Sequence, residues 1–246
     1  AQNNQLTHTG ALNVVAEARG GTATVVTDLR ATAIANGWAY GIRAEGKNAL
    51  IQSTGTVTVD ARAYGGTASC KASNTSPGVG ADADARAIWA NQEGKVNIDG
   101  DAVVLVQAVS GTAEAKEQGK TAAAKTDATG RGLAAFGGEI KVTGTTAVNL
   151  LAQGGTAASA GSGASARTNA YGVYASGSKG KIELQGAAVI HVQALGGTAS
   201  GKDGSNTNNA TVMAFGLSAY NGGKIELHAE RRGRTGLCVQ SSCRYR

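Results

Sequence analysis

The sequence predicts an all-β fold: a right-handed parallel β-helix, or β-solenoid, of about five repeats of 42–45 residues. Three observations predict it. The pentapeptide GGTAS occurs twice, at Gly65–Ser69 and Gly196–Ser200. The glycine before its threonine recurs as Gly21, Gly66, Gly111, Gly155 and Gly197, at intervals of 45, 45, 44 and 42 residues, and a steady period of this size marks a stacked array. Between these anchors the apolar residues alternate with period two, as in strands, not with the helical period of 3.6.

Each repeat reads in one order. A first strand comes as AYGIRA (39–44), RAIWA (86–90), RGLAAF (131–136), AYGVYA (170–175) and AFGLSAY (214–220). A glycine turn leads to a second strand, KVNI (95–98), EIKV (139–142) and KIEL (181–184 and 224–227). In the third strand the residues seven, five and three before the anchor are apolar throughout, from Val14/Ala16/Ala18 to Ile190/Val192/Ala194. The residues between them vary (Val15, Asp60, Leu105, Asn149, His191), so one face is predicted inside and the other outside. GGT follows, then a polar tract of variable length that re-enters as an alanine-alternating run such as ADADARA (81–87). That half has few large aliphatics, which favours one coil of about 44 residues per repeat over two coils of about 22. The GGT glycines are expected where the chain kinks and two backbones approach closely.

Composition points the same way. Glycine makes up 37 of 246 residues, proline one and aromatics 4%, a poor recipe for a compact globular core. The net charge of +6 is concentrated in residues 231–246, which hold five arginines and no acid, so residues 1–230 carry only +1. A nucleic-acid partner is therefore not expected. The solenoid is read as residues 1–230, and residues 231–246 as a basic tail outside the repeat, either foreign sequence appended to it or a natural cap. Two of the three cysteines, Cys238 and Cys243, lie in that tail, leaving neither a disulfide framework nor a zinc spacing. No stretch of 18 apolar residues is present to span a membrane, and the chain reads as an excerpt of a longer protein.

The body, roughly residues 5–230, resembles the passenger regions of bacterial autotransporters and related surface β-helical proteins, on its glycine-punctuated KIEL strands and GGT turns. The resemblance implies export and a secreted or cell-surface setting.

Two groups of residues are candidates for function. Glu183 and Glu226 fill the same outward position of successive KIEL strands, about 4.8 Å apart at the backbone. Retaining glycosidases hold two carboxyls about 5 Å apart, one of them protonated. Mutual repulsion is expected to raise one pKa, with Glu226 as the acid and His228 sharing its proton. Lys181, Lys224 and Lys141 beside the pair favour a plain charge ladder instead. The second group is an aligned column of Tyr40, Arg86, Arg131, Tyr171 and Phe215, flanked by Arg43, Trp89 and Tyr174. Facing outward, it offers ring faces and guanidinium donors to sugars; otherwise it is a stacking ladder that stabilises the coils. No cofactor and no metal are expected: the histidines share no ligand spacing, and the oxygen-bearing Asp203, Ser205, Thr207 and Asn209 lack the glycine and terminal glutamate of a calcium loop. The function expected is a structural or adhesive, glycan-contacting passenger fragment, whose free strand edges would permit end-to-end self-association. The alternative is a polysaccharide-degrading hydrolase or lyase using the stacked carboxylates.

Overall fold

The computed structural model describes residues 4–26, 32–71, 78–116, 123–160, 163–201 and 208–228, together with the backbone of 238–244. The described chain is all-β, arranged as a parallel β-solenoid with four sheets. The first sheet stacks Gly37–Glu45, Ala83–Asn91, Ala123–Phe136, Ala164–Ser176 and Asn209–Tyr220. The second stacks Gln5–Thr9, Leu50–Thr54, Lys95–Asp99, Glu139–Val142, Lys181–Leu184 and Lys224–Leu227. The third runs from Leu12–Arg19 through Val57–Tyr64, Ala102–Val109 and Thr146–Gln153 to Ala188–Leu195. Each repeat makes one coil, because Thr67 pairs with Thr112, Thr112 with Thr156 and Thr156 with Thr198. No described helix is long and apolar enough to cross a membrane.

The fourth sheet was not visible as a separate element in the sequence. It stacks Thr22–Val25, Thr67–Cys70, Thr112–Ala115, Thr156–Ser159 and Thr198–Gly201, each starting at the threonine of the glycine turn. Its strands read TAxx, and apart from Val25 only alanine or another small residue is turned inward, so they look like polar linker.

Two cores fill the cross-section. Where the first three sheets face one another, Ile88, Ile98, Leu133, Ile140, Leu150, Ile182, Leu184 and Ile190 are buried together. Between the fourth sheet and the alanine run that leads into the first, the core is Ala68, Ala81, Ala113, Ala115, Ala157 and their like, with Cys70 and Val79 as the largest members. The GGT turn lies between these lobes. Gly66 N–H donates to Ala35 O at 2.8 Å and Gly111 N–H to Ala81 O at 3.1 Å, so backbone meets backbone across the interior.

This waist explains the repeated glycines. A Cβ on Gly65 would lie 2.7 Å from Ala81 O, and one on Gly66 would lie 1.9 Å from Gly21 O in the coil below. Close approach requires them within the stack, whereas Gly21, in the first coil, meets nothing within 4 Å. The positive-φ glycines lie elsewhere, at Gly10, Gly46 and Gly55 among others, so the unusual dihedral expected of a kink is not part of the reason. Ser110 replaces the first glycine of one turn, and its Oγ accepts the Gly155 N–H at 2.7 Å.

The basic tail also contributes a strand. Cys238–Arg244 pairs in parallel with Ala188–Leu195, from Val189↔Cys238 to Leu195↔Arg244, and extends the third sheet. An open sheet edge offers backbone donors and acceptors to any extended segment, and that pairing needs no apolar alternation.

Candidate functional site

The first sheet builds the stripe. Its strands alternate until one position, Gly41, Ala87, Gly132, Gly172 or Gly216, which the pairing ladder skips in every coil. There two successive residues turn inward, as Ala87 and Ile88 do. A Cβ at Gly172 would lie 2.4 Å from the Ile190 side chain, so glycine is required there, and among the five coils only the second carries a methyl at this position, on Ala87. The slip changes the spacing between outward residues from two to three, and it brings Arg86 over the ring of Trp89 at 4.6 Å.

The predicted column is in register: Tyr40 pairs with Arg86, Arg86 with Arg131, Arg131 with Tyr171 and Tyr171 with Phe215. Beside it run Arg43, Trp89, Ala134 and Tyr174. The rings form an unbroken chain: Tyr40 stacks on Trp89 at 5.4 Å, Trp89 meets Phe136 edge-on at 6.3 Å, and Phe136 lies 5.1 Å from Tyr174. Tyr174 then meets Tyr171 at 5.0 Å, and Tyr171 stacks on Phe215 at 5.4 Å and 10°. Arginines fill the gaps: Arg43 covers Trp89 at 4.6 Å, and Arg131 lies 5.5 Å from Phe136 and 5.6 Å from Tyr171. The middle of the stripe is well covered, with Trp89 only 9% exposed, whereas Phe215 is 41% and Trp38, two residues before Tyr40, 62% exposed.

Three members were missed in the sequence. Phe136 joins the two halves of the ring chain. Asp84 holds Arg86 through two contacts, Nε–Oδ1 at 3.1 Å and Nη2–Oδ2 at 2.5 Å, and Glu45 pairs with Arg43. The two carboxylates were legible as Asp-x-Arg and Arg-x-Glu, because residues two apart share one face of a strand. The Phe136 contacts depend on the slip at Ala87 and Gly132, which periodicity does not show.

The second sheet carries the carboxylate pair. Glu183 and Glu226 are register partners, as predicted. Lys181 lies between them, with Nζ 3.0 Å from Glu183 and 2.8 Å from Glu226. Lys141 lies 3.7 Å from Glu183, Lys224 pairs with Glu226, and Gln185 Nε2 donates to Glu183 at 2.6 Å. These partners reverse the expected titration. Lys181 and Lys224 hold the Glu226 carboxyl down to about 2, and Gln185 and Lys181 hold Glu183 below its ordinary range. Lys181, bonded to both carboxylates, is raised well above the usual lysine value. Neither carboxyl is therefore raised to keep the proton a general acid needs. His228 Nε2 lies 3.9 Å from Glu226, beyond hydrogen-bond reach. The column is an ion ladder that continues to Lys95 and Glu139 at 3.2 Å.

Elsewhere, Asp60 and His191 border one shallow groove on the third sheet, three coils apart. Among the described residues no group of three or more His, Cys, Asp or Glu side chains could hold a metal ion. Of the oxygen-bearing loop, Asp203, Ser205 and Thr207 lie outside the described residues, and Asn209 Oδ1 accepts from Thr211 Oγ1 at 3.0 Å. A scan of protein-family models, a search of curated proteins and a search of solved structures each found no match for this chain.

Proposed function

We propose that this chain is a structural and adhesive β-solenoid of a secreted or surface-exposed bacterial protein, and that it contacts glycans along the aromatic–arginine stripe of its first sheet. The observation that carries this reading is the continuity of the stripe. Rings and guanidiniums follow one another over five coils, at a step of about 4.8 Å per coil. Sugar rings present C–H faces to aromatic rings and hydroxyls to arginine donors, so a repeating surface of this kind suits an extended chain. The resemblance to autotransporter passengers supports the surface setting, and the ionised carboxylate ladder favours binding over cleavage.

Both tryptophans of the protein, Trp38 and Trp89, stand in or beside the stripe, so intrinsic fluorescence reports on it directly. Titration with a panel of soluble polysaccharides should quench or shift that emission. Phe215→Ala together with Trp38→Ala, both at open positions, should weaken binding while leaving the circular dichroism spectrum unchanged. A panel with no spectral response and no calorimetric heat would remove the glycan reading.

A further inference from the structure

The charges within the stripe are unevenly matched. Arg43 has its own carboxylate, Glu45. Asp84 serves two arginines: Arg86 takes both of its oxygens, and Arg131 Nη1 reaches Oδ1 only at 3.4 Å. Arg131 Nε is buried and has no hydrogen-bond partner, so only its terminal nitrogens can meet a ligand. The other carboxylates of this face, Asp82 and Asp127, stand four residues back along the strand, roughly 13 Å away at strand rise, and Asp127 faces Lys125 at 3.8 Å. Two guanidiniums thus share one carboxylate in a setting walled by Phe136, Tyr171 and Tyr174.

That setting strengthens the mismatch. Burial among the rings lowers the Arg131 pKa and the neighbouring Arg86 lowers it further, with Asp84 opposing both. A carboxylate approaching from solvent meets this guanidinium at its terminal nitrogens, where Asp84 holds it only at 3.4 Å, and a partly desolvated site makes such a charge-assisted pair count for more than one in open water. Arg131 keeps 18% of its side chain exposed, and the ring of Tyr171 lies beside it in the next coil.

We propose that the stripe selects acidic saccharides, with a sugar carboxylate seated on Arg131 and the sugar ring against Tyr171. This rests on the glycan-contacting reading above and names the class of glycan. Neighbouring rings of the same chain would lie over Phe215 on one side and toward Tyr40 on the other.

The test compares one polymer in two forms on the wild-type protein. Polygalacturonate and its carboxyl-reduced, neutral derivative are titrated against tryptophan fluorescence and in a calorimeter. The expected result is binding of the acidic polymer about tenfold or more tighter than the reduced one. Its affinity should also fall as sodium chloride is raised, since salt screens the pair. Arg131→Gln should abolish the preference, and Arg131→Lys, which keeps the charge but loses the fork, should retain only part of it. Equal affinity for the two polymers would overturn the acidic selectivity and leave the glycan reading standing. Binding of neither form would overturn the selectivity, and silence across the whole polysaccharide panel would take the glycan reading with it.

Discussion

The two lobes of each coil solve the same packing problem with opposite means. In the wide lobe the sheets stand far enough apart for Ile, Leu and Val to interdigitate, as Ile88, Leu133, Leu150 and Ile190 do. In the narrow lobe the sheets lie so close that alanine fills the gap, at Ala68, Ala113, Ala157 and Ala164. Between them the interior narrows until Gly66 and Ala35 bond backbone to backbone. Burial is therefore not one quantity in this fold. A residue can be fully buried because large neighbours surround it, or because there is no room for anything but a methyl group.

Three changes would test that distinction, and the waist should give the largest effect. Gly111→Ala places a methyl 1.8 Å from Gly66 O, a rigid backbone atom, and no rotamer relieves it. We expect a loss above about 4 kcal/mol, or failure to fold, read as a lost cooperative melt. A variant that melts like wild type would show that the coils separate easily at the turn.

A matched pair probes the lobes themselves. Leu150→Ala in the wide lobe should cost about 2–5 kcal/mol through the cavity it leaves, whereas Ala113→Leu in the narrow lobe should cost about 1–3 kcal/mol through overpacking. Denaturant melts of both would measure this. Tolerance of the larger residue at 113 would mean that the narrow lobe can open, and the contrast drawn above would fail.

The smallest effect belongs to the surface ladder. Glu226 titrates near 2 in the folded chain against an ordinary value of 4.5, so its ion pairs add stability that is complete above about 4.5 and lost as pH falls toward 2. Glu226→Gln should lower the melting temperature slightly at pH 7 and meet wild type near pH 2, and so flatten the fall over that window. An unchanged acid limb would indicate that the exposed pair contributes nothing measurable.

The regular parts of this architecture were legible for a plain reason. A constant period aligns equivalent positions, so Tyr40, Arg86, Arg131, Tyr171 and Phe215 fall into one column without any structural knowledge. Inward faces were equally readable wherever aliphatics mark them, as in Val57, Val59, Ala61 and Ala63. The fourth sheet escaped notice because alanine in TASC or TAEA marks neither a core nor a strand. The carboxylates were correctly placed side by side, but their charge state depended on which way Lys181 reaches. Its spacing from Glu183 was visible in KIE, whereas its equal reach to Glu226 in the next coil was not.

One coil per repeat has a mechanical consequence. A coil of 42–45 residues adds only about 4.8 Å to the height of the stack, yet the same residues drawn straight reach roughly 150 Å. Peeling one coil from an end thus lengthens the chain about thirtyfold relative to the height it gave up. Under tension such a rod yields in large steps from its ends while the remaining coils stay assembled, because each coil leans only on its neighbours. A tether built this way holds its length under weak pull and pays out a long leash under strong pull, with the stripe on the unpeeled coils still intact.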